Sequence, residues 1–265
     1  MEDENKGPNI AKTTQLSTYR RDLWPSRKAA LESYQRSPFY QTWDPRVLSR
    51  WVQYGLRDLP TAIHPLDETA LRQLSDGHGN PVTLTSTLHQ EVFTFARPNY
   101  DYPPETKGKV TVNKATHPDL DYNAAGIYPF YRPEGAPLFA NIPHLRPSVM
   151  YVVGGESDIC SPETNDEKLA QTGTGVGGSG GYPAGRVGLV ALDKIGHLVA
   201  MEAPVQCAEI ASGWLGPELK RWRDEEAAFR VQWDKKSKVE KMTVDDRWKA
   251  HVPPPERKPK PVSKL

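Results

Sequence analysis

The chain has 265 residues, with 34 Lys and Arg against 33 Asp and Glu, a formal net charge of +1 and 37% hydrophobic residues. This charge balance disfavours a nucleic-acid-binding protein, which normally carries a basic domain or stripe. Its two cysteines cannot build a disulfide framework, and no spacing typical of a zinc site occurs. No apolar run approaches the roughly 18 residues that a transmembrane helix needs. We therefore expect no membrane-spanning helix, no metal and no cofactor.

The N-terminal part of the chain begins with polar sequence and continues with helical patterns. Residues 1–16 lack hydrophobic periodicity, so we expect disorder there, and neither a secretory signal nor a mitochondrial presequence. Ser26 can cap a helix over residues 27–35. Asp44, followed by a proline, predicts the start of a second helix, in which apolar positions repeat with a helical period until Gly55.

Prolines recur every few residues in the next part of the chain, and only short apolar runs occur between them. Residues 82–87 are typical of an extended segment, while residues 90–96 fit a strand or a helix. His89 and Glu91 either line a substrate channel or make surface and structural hydrogen bonds, and we favour the second. A long irregular stretch is typical of a lid or binding region. We interpret residues 17–147 as a large helical and irregular cap, not as a second core.

The pattern changes at residue 148. Residues 148–154 form a short apolar run that stops at Gly-Gly, and residues 187–192 form a second such run, as buried parallel strands do. A helix is predicted over residues 202–215, ended by a Gly-Pro pair and followed by a charged helix with two tryptophans. Strand, loop, strand and helix in this order indicate an α/β fold. Residues 148–250 are therefore interpreted as the C-terminal half of an α/β core.

Two candidate catalytic side chains follow the two strands, where α/β enzymes place their functional groups. Asp158 comes after the first strand and His197 after the second. An Asp that accepts the N–H of a histidine ring fixes its tautomer, so that the histidine can act as a general base. The order Asp then His matches the Ser, Asp, His order of α/β-hydrolases. As alternatives, Asp158 caps the following turn and His197 is a packed loop histidine.

A glycine-rich segment between these residues matches two motifs by letter. Ser179 is the serine of a G-x-S-x-G match, and residues 173–178 fit G-x-G-x-x-G. Both motifs need a strand before them and a helix after them, and neither element is predicted here. Ser179 also lies between Asp158 and His197, which is the wrong order for a nucleophile. We interpret the segment as a mobile surface loop.

The end of the chain combines a proline- and lysine-rich tail with a targeting tripeptide. Residues 251–265 are predicted to be extended and solvated. Ser263, Lys264 and Leu265 match the peroxisomal address that an import receptor reads at a free C-terminus. We therefore expect a peroxisomal protein with the import receptor as a partner.

Six stretches of the chain carry a family resemblance: TYRRDLWPSRKAALES, WDPRVLSRWVQYGLRDLPTA, HQEVFTFARPNY, RPSVMYVVGGESD, GTGVGGSGG and GHLVAMEAPVQCAEIASGWLG. The chain resembles the fungal α/β-hydrolases of toxin biosynthesis, including those of the AK- and AF-toxin clusters and relatives of a peroxisomal lipase. These stretches carry the resemblance, which extends over residues 17–252. The resemblance implies an α/β-hydrolase fold with a helical cap. It also implies a Ser-Asp-His mechanism on an ester or thioester of a fatty-acyl-like substrate. By motif position, His197 is the general base and Asp158 its acidic partner.

Two segments of the family pattern have no counterpart in this sequence. Family members carry, before the cap, a His/Gly-containing oxyanion segment and a G-H-S-M-G elbow whose strained turn exposes the nucleophilic serine. No serine before Asp158 has that sequence setting, so the nucleophile is not found. We expect an α/β-hydrolase fold that lacks its N-terminal strands and nucleophile elbow. The chain is then either an active hydrolase of toxin biosynthesis, or a catalytically incomplete remnant or non-catalytic binding protein.

Overall fold

The computed structural model describes residues 10–106, 108–124 and 126–255. Within them, the α-helices are α1 (Ile10–Tyr19), α2 (Arg27–Gln35), α3 (Pro38–Gln41), α4 (Pro45–Tyr54), α5 (Glu68–Leu74), α6 (Leu88–Phe95), α7 (Gly135–Asn141), α8 (Pro162–Gln171), α9 (Val199–Glu202), α10 (Pro204–Lys235) and α11 (Asp246–His251). The strands in the same residues are β1 (Leu23–Trp24), β2 (Leu56–Asp58), β3 (Val82–Leu84), β4 (Arg97–Pro98), β5 (Phe130–Tyr131), β6 (Val149–Gly154) and β7 (Val187–Leu192). The chain divides into two units, Met1–Ala211 and Ser212–Leu265. None of the described helices is long and apolar enough to cross a membrane.

Helices α2 and α4 begin at their predicted caps. Ser26 accepts the backbone N–H of Ala29 at 3.1 Å, and Asp44 accepts that of Arg46 at 2.8 Å. The side chain of Arg46 donates to the same carboxylate, and these hydrogen bonds lower the pKa of Asp44 to about 2. The Asp44 cap is therefore charged at neutral pH, and both predicted helices are confirmed.

A three-stranded antiparallel sheet in the order β1-β3-β2 lies at the centre of the region before α6. Trp24 of β1 pairs with Val82 of β3, and Leu56 of β2 pairs with Leu84 of β3. The sheet and the surrounding helices bury one cluster of side chains: Trp24, Ala30, Tyr34, Leu48, Leu56, Val82, Leu84 and Leu88. This cluster is a hydrophobic core in its own right.

The expectation that residues 17–147 contain no hydrophobic core is therefore wrong, while their role as a cap stays a prediction. Each strand of this sheet has only two or three residues, too few to show the alternation of side chains that marks a strand. The extended segment predicted at residues 82–87 is confirmed by β3. Residues 90–96, which fitted a strand or a helix, lie largely in α6, where Thr87 and Gln90 form a capping box.

Helix α1 contains residues 10–16, which were expected to be disordered. It packs against α6, and Ser17 donates to the Glu91 carboxylate of that helix at 3.1 Å. Arg20 forms an ion pair with the same carboxylate. This helix was not predicted because polar contacts of this kind produce no hydrophobic periodicity in the sequence. Glu91 thus makes structural hydrogen bonds, which was the favoured interpretation, and His89 is exposed.

A second, smaller cluster follows α6, where β4 and β5 pair in antiparallel orientation. Its buried side chains are Tyr102, Leu120 and Tyr131. The guanidinium of Arg97 on β4 forms ion pairs with Asp119 and with Glu134. The irregular part of the region is therefore held by charge pairs around a few aromatic side chains.

Strands β6 and β7 are parallel and in register, from Val149 opposite Val187 to Gly154 opposite Leu192. Helix α8 lies between them in the chain, as a crossover between parallel strands requires. Both strands lie where the sequence predicted them. The predicted α/β signature of this region is confirmed.

Helix α10 continues through a proline that was predicted to end it. Pro217 has no N–H for the carbonyl of Gly213, four residues earlier, so one helical hydrogen bond is lost. Both residues are exposed, and water can therefore satisfy this carbonyl. Gly213 and Gly216 also have open space at the position of a Cβ atom. The predicted break at this Gly-Pro pair is wrong because the lost bond faces solvent and not a core.

Leu84→Ala should lower the free energy of unfolding by about 2–5 kcal/mol, because it leaves a cavity in the sheet core. The Leu84 side chain is only 2% exposed. As a matched control, Leu138→Ala removes the same atoms from a side chain of α7 that is 65% exposed. It should change stability by less than about 0.5 kcal/mol. Denaturant unfolding followed by circular dichroism measures both values, and equal losses would contradict the core described above.

Candidate functional site

The two loops that carry the predicted catalytic residues leave β6 and β7 side by side. The N–H of Gly155 donates to the carbonyl of Leu192 at 2.9 Å, and that of Glu156 donates to the carbonyl of Ile195 at 3.0 Å. Backbone pairing thus continues beyond the last residues of the strands. Because ligands of α/β folds bind at the carboxyl edge of the sheet, side chains of these loops are placed where a substrate would lie.

Gly154, the last residue of β6, is necessary for this contact. A Cβ atom at this position would lie 1.9 Å from the carbonyl oxygen of Gly196 and 2.5 Å from that of Ile195. Any side chain here would push the two loops apart. The loop after β7 turns at Lys194, which has a φ of 60°. The Gly-Gly pair that predicted the end of a strand therefore also has a packing role.

Glu202 on α9 holds the loop after β7 at a second point. Its carboxylate accepts the N–H of Gly196 at 2.8 Å. The carbonyl of the preceding residue, Met201, accepts the N–H of Asp44 at 2.9 Å, which connects α9 to the start of α4. Glu202 was not predicted as a site residue, although it stands only six residues after the glycine whose N–H it binds. The backbone around His197 is therefore fixed by contacts from both β6 and α9.

His197 is exposed on this loop, and its ring makes one side-chain contact across to the loop after β6. The Nδ1 atom lies 3.1 Å from the Oγ of Ser157. Ser157 is half-buried, and its Oγ also accepts the N–H groups of Ile159 and Cys160, each at 3.3 Å. Ser157 was not predicted as a site residue. Its position directly before Asp158 was the available signal.

Asp158 lies in the same loop as Ser157, and its side chain is exposed. In the arrangement that the structure describes, Nδ1 of His197 is hydrogen-bonded to Ser157 and not to Asp158. The structure thus places Asp158 and His197 in adjoining loops at the carboxyl edge of β6 and β7, as expected for parallel strands. A hydrogen bond between the two side chains stays a prediction.

The glycine-rich segment around Ser179 is folded onto the residues that precede β6. Three of its N–H groups donate to backbone carbonyls there, in the pairs Gly173 to Ile142, Gly175 to Pro143 and Ser179 to Leu145. A Cβ atom on Gly178 would lie 2.3 Å from the carbonyl oxygen of Gly173. The segment predicted to be mobile is therefore a packed loop, with glycines where backbones meet.

The serine of the G-x-S-x-G match does not stand in a nucleophile elbow. Helix α8 precedes Ser179 in the chain, and a short 3-10 helix at Tyr182–Ala184 follows it, where an elbow needs a strand and an α-helix. The prediction that Ser179 lacks this setting is confirmed.

In the described part of the chain, no group of three or more His, Cys, Asp or Glu side chains is placed to hold a metal ion. The predicted targeting residues Ser263, Lys264 and Leu265 lie outside the described residues.

Several proteins of fungi are similar to this chain. It is 34% identical over 246 residues to a type I acyl-CoA thioesterase of Penicillium brevicompactum. The matched residues cover 91% of this chain and 55% of that protein. A type I acyl-CoA thioesterase of Penicillium roqueforti is 33% identical, over 87% of this chain and 52% of that protein. An abhydrolase domain-containing protein of Alternaria alternata is 24% identical, over 79% of this chain and 72% of that protein. The chain spans about half the length of the thioesterases that it matches.

Among solved structures, the peroxisomal α/β-hydrolase Lpx1 of Saccharomyces cerevisiae aligns with a TM-score of 0.47 and 12% sequence identity. The alignment covers 88% of this chain and 50% of that chain. No protein-family model matches the chain.

Gly154→Ala should lower the free energy of unfolding by about 1–3 kcal/mol, because the added methyl group overlaps the backbone of the His197 loop. Gly135→Ala is the matched control, since a Cβ at Gly135 meets no atom within 4 Å. The control should be neutral or stabilising by up to about 1 kcal/mol. Denaturant unfolding gives both values, and NMR of the His197 ring shows whether its loop has moved. A Gly154 variant with unchanged stability and ring resonances would contradict the close contact.

Proposed function

Because this chain belongs to the family of fungal α/β-hydrolases that includes the abhydrolase domain-containing proteins of Alternaria alternata, we propose that it hydrolyses an acyl ester or thioester with His197 as its general base. The predicted family resemblance and the α/β-hydrolase fold class are confirmed by these relatives. The proposed substrate is a fatty-acyl-like molecule. This choice is supported by the Penicillium relatives, which are named acyl-CoA thioesterases.

The single observation that carries this proposal is the position of the His197 ring. It stands exposed at the carboxyl edge of a parallel strand pair, on a loop fixed by backbone hydrogen bonds, one loop away from Asp158. A general base needs both features, because its ring must be reachable by substrate and must stay in one place. A histidine that only packed the loop would be expected to turn its ring inward.

The proposed reaction moves one proton back and forth through His197. At Nε2, the ring takes the proton of the attacking serine hydroxyl that the family mechanism implies, a serine not identified in this sequence. The serine oxygen bonds to the acyl carbon, the bond to the thiolate or alkoxide breaks, and the ring gives its proton to that leaving group. Asp158 is proposed to accept the Nδ1 proton and to stabilise the imidazolium. Water then releases the acyl group as a carboxylic acid, so that the overall reaction is acyl transfer to water.

The second candidate function is a non-catalytic protein that binds an acyl compound. It is favoured by the setting of Ser179, the serine of the G-x-S-x-G match, which stands in a packed loop and not in an elbow. The two functions differ in turnover. Purified full chain that binds an acyl-CoA saturably, but neither releases CoA nor reacts with a serine-directed fluorophosphonate, would support the binding protein and contradict the hydrolase.

His197→Ala should lower kcat/KM for acyl-CoA or p-nitrophenyl acyl esters by about 100-fold or more, because the reaction loses its proton acceptor. The matched control is His251→Ala, which removes an exposed imidazole from α11 and should leave the rate unchanged. Release of free thiol or p-nitrophenol measures the rates. A His197→Ala variant that keeps the full rate would rule out this residue as the base.

We also propose that the protein acts in peroxisomes, in the biosynthesis of a fungal toxin. The peroxisomal address is supported by the tripeptide Ser263-Lys264-Leu265, and the pathway class is supported by the family resemblance. An import receptor would bind the tripeptide, so that receptor is the proposed partner.

A fluorescent protein fused to the N-terminus should enter peroxisomes, and removal of Ser263–Leu265 should leave the fusion outside them. Fluorescence microscopy with a peroxisomal marker gives the readout. As a control, the same fluorescent protein fused after Leu265 should block import, because the address must end the chain. Import of the truncated fusion would contradict the proposed address.

A further inference from the structure

Ser157 contacts the ring of His197 but has no role in the proposed reaction. Its Oγ has three polar neighbours in the described structure: Nδ1 of His197 at 3.1 Å, and the backbone nitrogens of Ile159 and Cys160 at 3.3 Å each. The serine is half-buried in a loop whose backbone is paired with the loop after β7. Its hydroxyl is therefore held in place by its own backbone surroundings.

The number of lone pairs on a hydroxyl oxygen decides the direction of the contact with His197. A serine hydroxyl offers one O–H and accepts up to two hydrogen bonds. The N–H groups of Ile159 and Cys160 can only donate, so they use both acceptor positions. A protonated Nδ1 would be a third donor to an oxygen with no acceptor position left. The hydroxyl must therefore donate to Nδ1, which leaves Nδ1 without a proton.

We propose that Ser157 is a positioning residue that holds the neutral His197 ring in the tautomer with its proton on Nε2. In this tautomer the exposed edge of the ring presents a hydrogen-bond donor to a substrate. An Asp partner at Nδ1 would fix the opposite tautomer, in which Nε2 accepts. The resting ring thus donates a hydrogen bond from Nε2 to a substrate oxygen, and the base step needs a change of partner at Nδ1.

This role of Ser157 rests on the proposed function, because the tautomer matters for catalysis only if His197 is the general base. It can be tested without turnover. The full chain is labelled with 15N-histidine, and the ring nitrogens are observed by long-range 1H–15N correlation at about pH 8. His197→Gln identifies the His197 resonances by their disappearance.

In the unsubstituted chain, we expect a wide separation between an unprotonated Nδ1 and a protonated Nε2. Ser157→Ala should move both resonances toward those of free histidine, because the bond that fixes the tautomer is lost. Ser157→Thr keeps the hydroxyl and should restore the wide separation. Glu156→Gln is the matched control, since this exposed side chain directly precedes Ser157 in the chain, and it should leave both resonances unchanged. Circular dichroism confirms that each variant is folded.

Two results would overturn the inference. The first is a protonated Nδ1 in the unsubstituted chain. The second is an Asp158→Asn variant that shifts the ring resonances while Ser157→Ala leaves them in place, since Asp158 would then be the partner. A chain that hydrolyses no acyl substrate but shows the expected tautomer pattern would contradict the proposed function and not the role of Ser157. The two failures are therefore distinguishable.

Discussion

The close approach between Gly154 and the carbonyl of Gly196 determines how the two loops of the candidate site leave the sheet. Strands β6 and β7 end at the same level, with Gly154 opposite Leu192, so their loops start next to each other. The missing side chain at Gly154 lets the backbones touch. Two further backbone hydrogen bonds then extend the pairing. In this arrangement, Ser157 of one loop lies within hydrogen-bond distance of His197 in the other.

The parts of the fold that the sequence predicted well are those with a local signal. Ser26 and Asp44 mark their helices through a cap and the residues directly after it, and β6 and β7 are apolar runs of six residues each. The sheet β1-β3-β2 has no such signal, because its short strands are defined only by pairing with distant residues. The course of α10 past Pro217 was also unpredictable from sequence, since it depends on which side of the helix meets solvent.

At the candidate site, the sequence located the right edge of the sheet but not the hydrogen bonds within it. Asp158 and His197 were placed by counting from strand ends, and parallel strands make that count dependable. Whether Nδ1 of His197 forms a hydrogen bond with Ser157 or with Asp158 depends on the exact course of the loop. The sequence pattern does not predict that course. The packing of the glycine-rich segment was likewise not predictable from its composition. Its composition is typical of a flexible loop, yet its glycines permit close backbone contacts with residues 142–145.

The polar contacts that attach α1 to α6 should make this attachment sensitive to ionic strength. Ser17 and Arg20 both reach one half-buried carboxylate, that of Glu91 on α6. Dissolved ions weaken the ionic part of such a contact, whereas they hardly affect the apolar side chains buried between β1, β2 and β3. We therefore expect rising ionic strength to loosen α1 before it affects the sheet. Local opening of this helix and global unfolding are then separate events with different dependence on salt.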